Sequence, residues 1–130
     1  MKRALSILLF LLYITSILAQ EKNDLIFKEK TINLGKIYNT EEKVIVNFPF
    51  SNKGDKPLVI YKVTASCGCT IPIWPQTPIK SGEDGCVKII LNSKEIKGFF
   101  TKKFFVESNS SKGIILLKIK GEFYKNTLLN

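Results

Sequence analysis

The sequence predicts an all-β fold, an antiparallel sandwich of about seven short strands, and three observations predict it. From Leu25 onward apolar residues recur with a period of two, not the roughly 3.6 of a helix. Clusters of Gly, Asn, Ser and Pro interrupt those runs at intervals that suit short strands. Beyond the first twenty residues there is no helical stripe of useful length, no internal repeat and no low-complexity segment.

The N-terminal stretch stands apart from this pattern. Met1, Lys2 and Arg3 form a basic head, residues 4–19 are apolar or small, and charge resumes just after Gln20. That layout predicts a secretory signal peptide over residues 1–19, cleaved after Ala19. Its apolar run falls short of the roughly 20 residues that span a bilayer, so no stable membrane span is expected after cleavage. The remainder, about 110 residues, is enough for one modest core, and a single domain is expected over residues 24–125.

Ile32 and Leu34, just before Gly35-Lys36-Ile37, suggest a first strand and a bend. In residues 43–51, Val44, Val46, Phe48 and Phe50 alternate with Lys43, Ile45, Asn47 and Pro49, a strand with one buried face. Pro49 cannot donate to a ladder, which points to an edge or a bulge there. Asn52-Lys53-Gly54-Asp55 supplies turn chemistry. The run 58–66 follows, and a bulge near Tyr61-Lys62 would let Leu58, Ile60 and Val63 all point inward. Residues 67–82, broken by Pro72, Pro75 and Pro78, read as an ordered crossing loop. Val87, Ile89 and Leu91 then alternate with Cys86, Lys88 and Ile90; Phe100, Phe104 and Val106 follow on a strand where Lys102 is the misfit. Ile115, Leu117, Ile119 and Phe123 make a clean last strand. Strands of this number and spacing indicate the immunoglobulin type, ahead of a small closed barrel.

Composition removes several kinds of chemistry. The chain has no His, and its one Arg and one Met fall in the leader. Without His there is no imidazole base, no Ser-His or Cys-His nucleophile pair and no imidazole metal ligand. Without Arg beyond the leader, the forked recognition of guanine or phosphate is missing, so no nucleic-acid partner is expected. The lysine excess could attract an acidic envelope polymer, but solubility and edge protection explain it more simply, Lys102-Lys103 included. Glu41-Glu42 and Glu83-Asp84 are adjacent pairs in turns, and nothing sets two carboxylates across a cleft.

One constellation could do chemistry. Cys67 and Cys69 flank Gly68, and Cys86 is the third thiol. In extended chain two such thiols lie near the roughly 7 Å Cα limit for bridging, and Gly68 can relieve it by taking positive φ. A Cys67–Cys69 ring would be easily reduced; Cys86 could instead pair with either across the intervening loop; or two or three thiolates could hold Cu(I). Spacing leaves these alternatives open, with disulfide chemistry first. Thr70, Pro72, Trp74, Pro75 and Pro78 form a candidate contact loop, in which Trp74 reads first as a lid on the core and second as an exposed platform.

Several motifs carry a family likeness: Gly35-Lys36-Ile37, Phe48-Pro49-Phe50-Ser51-Asn52-Lys53-Gly54, Pro57-Leu58-Val59-Ile60 and, most specifically, Ser66-Cys67-Gly68-Cys69-Thr70. Pro72-Ile73-Trp74, Ser81-Gly82, Gly98-Phe99-Phe100 and Ser108-Asn109 extend it through Gly121. In this order they resemble DUF1573, a domain of unknown function common in exported bacterial proteins. Cys86, and Ser81 in place of a more usual Pro, depart from the family pattern. The resemblance implies an immunoglobulin-like sandwich related to PapD-like and Hydin-type domains, and no established activity. The expectation is therefore a secreted, periplasmic or cell-envelope module that is not an enzyme and carries no cofactor. It would serve an envelope or secreted protein partner by binding or structural support. A thiol-redox or Cu(I)-binding protein is the alternative.

Overall fold

The computed structural model describes residues 1–15, 23–38 and 42–124. The chain runs as α1 (Lys2–Thr15), β1 (Leu25–Phe27), β2 (Thr31–Tyr38), β3 (Lys43–Asn52), β4 (Ile60–Ala65), β5 (Thr70–Ile73) and β6 (Asp84–Asn92). A 3-10 turn (Ser93–Glu95) leads to β7 (Gly98–Ser108) and β8 (Ile115–Tyr124). The segment Lys2–Thr15 is helical because it is rich in Leu and free of Gly and Pro. No helix among the described residues is long and apolar enough to cross a membrane. The expected cleavage point after Ala19 lies outside the described residues.

The strands form two four-stranded sheets, ordered β1-β3-β6-β5 and β2-β8-β7-β4. After Phe27 the chain leaves the edge of the first sheet and rejoins at the edge of the second. There β2 runs parallel to β8, while every other neighbouring pair is antiparallel. The sandwich is therefore all-β, as the periodicity predicts, with one parallel pair that periodicity does not encode. Among the described residues there are eight strands against the roughly seven expected; the two that the periodicity does not mark are β1 and the short β5, which lies within residues 67–82.

Between the sheets Phe48, Val87, Ile89 and Leu91 meet Phe104, Val106, Leu117 and Ile119, all fully buried. Phe27 packs edge-on to Phe50 at 5.4 Å, and Phe100 stacks on Phe123 at 5.2 Å. A Cβ on Gly85 would come within 2.4 Å of the Phe50 ring, so only glycine fits there. The expected bulge is present: the β4–β7 register shifts between Ile60 and Lys62, which keeps Leu58, Ile60 and Val63 buried.

Two expectations about edges are corrected. Pro49 lies in a strand with neighbours on both sides, opposite Cys86. It is tolerated because β1 stops at Phe27; the Pro49 carbonyl still accepts the Lys28 N–H at 3.0 Å. Lys103 likewise sits on β7, an interior strand, and its carbonyl accepts the Ser66 N–H at 3.0 Å. It therefore guards no edge.

Two asparagines, Asn52 buried and Asn109 half-buried, tie the loops to this frame. Asn52 donates from Nδ2 to the carbonyls of Lys56 (2.7 Å) and Ile79 (2.9 Å), and its Oδ1 accepts the Gly54 N–H at 3.0 Å. Asn109 accepts the Val59 N–H at 2.9 Å and donates to the Pro57 carbonyl at 3.1 Å. These residues of the family-like motifs are scaffold.

Candidate functional site

The Ser66-Cys67-Gly68-Cys69-Thr70 segment carries the chain from β4 in one sheet to β5 in the other. Both of its ends are anchored. The Ser66 hydroxyl accepts the Lys103 N–H at 3.2 Å, and the buried Thr70 hydroxyl donates to the Cys67 carbonyl at 3.3 Å. Between these anchors Cys67 and Cys69 form a disulfide, with their Cα atoms 5.4 Å apart. The chain bends enough here without left-handed backbone: Gly68 does not take the expected positive φ. It is exposed, and nothing lies within 4 Å of where its Cβ would be.

Cys86 is not part of this cluster. Cys69 accepts the Asn92 N–H at 3.0 Å, which sets it level with the far end of β6, whereas Cys86 sits near the start of that strand. Six residues of strand separate the two levels, about 20 Å. The pairing of Cys86 with Cys67 or Cys69 is thereby excluded, and Cys86 remains a half-buried free thiol. A three-thiolate metal site is not assembled. Among the described residues no group of three His, Cys, Asp or Glu side chains could hold a metal ion.

The candidate contact loop divides in two. Thr70 and Pro72 are in β5, with Thr70 buried and Pro72 half-buried. Trp74 is partly buried and packs against the core, in the manner of a lid, while Pro75 is half-buried beside it and Pro78 is exposed.

Sequence reasoning missed what adjoins the disulfide. On the outer face of the first sheet Ile45 lies opposite Ile90, and Ile90 lies opposite Ile71, a row of isoleucines across three strands. Ile45 and Ile71 are 62% and 56% exposed, and Ile73 continues the apolar surface along β5. Directly opposed residues in neighbouring strands have Cβ atoms about 5 Å apart, so the row is contiguous. It borders a depression lined by Gly68, Cys69, Ile71, Ile90, Lys43 and Asn92. The Glu42 carboxylate at the same end pairs with the Lys94 ammonium, which holds its pKa below the usual range. The one available signal was Ile45 and Ile90 on the wrong parity of otherwise alternating strands.

A family model described as "Protein of unknown function (DUF1573)" matches residues 25–123. Among solved structures, a protein of unknown function from Porphyromonas gingivalis W83 superposes with a TM-score of 0.70 at 17% identity, covering 80% of this chain and 48% of that one. This chain thus spans about half the length of that protein. The ASH / PapD-like domain 7 of human CEP192 gives 0.63 at 10% identity, over 80% of this chain and 87% of that one. The YadV chaperone gives 0.54 at 15%, over 82% and 54%. At these identities the likeness shows the fold alone: an immunoglobulin-like sandwich of PapD-like form. No curated protein matches.

Proposed function

The chain belongs to the DUF1573 family, and from that premise we propose that it is an exported, non-enzymatic immunoglobulin-like module that binds a protein partner in the bacterial cell envelope. The isoleucine row beside the disulfide is the observation that carries this reading. An apolar surface that is in register across three strands and fixed at one end by an anchored covalent loop suits docking of another protein surface. The basic head and apolar helix of the leader support export. The absence of His from the whole sequence, with no Arg beyond the leader, supports a module without catalysis.

A photo-crosslinking amino acid at position 71, in cells of the source type, is the direct test. The expected result is a discrete adduct that is absent when the probe stands at exposed Thr64 on the opposite sheet, and that is lost in an Ile45→Glu background. Equal labelling from both positions would sink the reading.

The short disulfide favours a second reading, a thiol-redox or soft-metal protein. Its ring spans only three residues, so closure stabilises by roughly half of the ~3 kcal/mol expected for a 15-residue loop. Such a bond serves poorly as a staple, and once reduced it would offer two thiolates to a soft cation such as Cu(I). Thiol titration, intact mass and copper stoichiometry separate the two readings. One Cu(I) per reduced chain, lost in Cys67→Ala, supports the second; a disulfide that persists in mild reductant with no copper uptake supports the first.

A further inference from the structure

The outer face of the second sheet carries a different chemistry from the first. Lys36, Lys62, Lys103, Lys118 and Lys120 project from it against two carboxylates, Glu107 and Glu122. Three of those lysines lie on β7 and β8, the two interior strands, where an edge-guarding role is unavailable.

Their placement runs against stability. Lys103 and Lys118 are direct cross-strand partners, and like charges set opposite each other destabilise a sheet. Among the described residues neither ammonium group has an ion-pair partner. The next rows along the strands are Thr101–Lys120–Asn33 and Phe99–Glu122–Lys36. Each row lies about 7 Å from the last. Phe99 is 84% exposed and borders an open depression of about 450 Å³ that Lys36, Thr101, Lys120 and Gly121 also line.

We propose that this face binds a linear anionic polysaccharide of the uronate class. Carboxylates of the polymer neutralise the Lys103–Lys118 pair and Lys120, and a sugar ring stacks on Phe99 in the depression. Thr31, Asn33 and Thr101, interleaved with the lysines, supply hydrogen bonds to ring hydroxyls. The charge pattern sets the class. Lysine is a point charge suited to isolated carboxylates, and the forked guanidinium that favours phosphate is missing from this surface. This site is on the opposite face from the isoleucine row and stands or falls independently of it.

The test is affinity electrophoresis of the purified chain through gels containing polygalacturonate, with dextran as the neutral polymer. Retardation by polygalacturonate alone is expected, and it should fade as salt rises toward about 0.5 M, where screening shortens the reach of each charge. Lys103→Ser/Lys118→Ser should weaken binding about tenfold while melting no lower than the parent, since a repulsive pair is removed. Phe99→Ala should weaken binding without changing its salt dependence. Equal retardation by dextran, full binding by the double lysine variant, or binding to phosphatidylglycerol vesicles without binding to polygalacturonate would each overturn the proposal.

Discussion

Asn52 shows how much a single side chain can hold in this fold. It is fully buried, and its amide satisfies three backbone groups in two separate loops, at 2.7, 2.9 and 3.0 Å. Asn52→Ala leaves two carbonyls and an N–H without those partners in a dry place, so the loss exceeds that of one ordinary hydrogen bond. We expect about 2–3 kcal/mol from urea denaturation, with the fold retained. At the surface, Tyr124 stacks on Tyr38 at 5.7 Å, and the Glu122 carboxylate beside it holds the phenol above its ordinary pKa, first because it accepts a hydrogen bond that only the protonated phenol can donate, and further because phenolate would face a second negative charge. Glu122→Gln should therefore lower the midpoint of phenolate absorbance on alkaline titration; an unchanged midpoint would show that the pairing is not made in solution.

At the scale of elements, legibility followed periodicity. β3, β6 and β8 alternate cleanly and read correctly, and the β4 bulge was visible because Leu58, Ile60 and Val63 cannot otherwise share a face. β5 was hidden because four residues containing a proline carry too little pattern, and the direction of β2 leaves no trace in composition. At the candidate site, the Cys-Gly-Cys segment was legible as chemistry but not its pairing. The isoleucine row was invisible because it exists only through the register of three strands far apart in sequence. β5 also shows why its proline sits where it does. Cys69 turns its carbonyl toward β6, so by alternation Thr70 and Pro72 turn their backbones to the open edge. Pro72 removes one of the two donors that this edge would otherwise present, leaving only the Thr70 N–H. Pro72→Thr restores one beside exposed Ile71 and Ile73, and should yield dimers or larger species in light scattering at concentrations where the parent is monodisperse.

Over the whole molecule, cohesion comes from the two facing sheets and owes little to cross-linking. The buried residues draw on β1, β3, β4, β6, β7 and β8, and the disulfide lies at the sandwich's margin, joining residues two apart in sequence. A constraint that short removes little freedom from the unfolded chain. The same segment is already held by Ser66 on Lys103 and by Thr70 on the Cys67 carbonyl, which survive loss of the sulfurs. The Cys67→Ser/Cys69→Ser chain should therefore unfold in one cooperative step with an unchanged denaturant slope, its stability lowered by no more than about 1.5 kcal/mol. A broadened transition, or a loss of several kcal/mol, would mean that the ring organises the β4–β5 crossing. In that case the disulfide is part of the fold, and its place beside the isoleucine row no longer argues for a role in recognition or exchange.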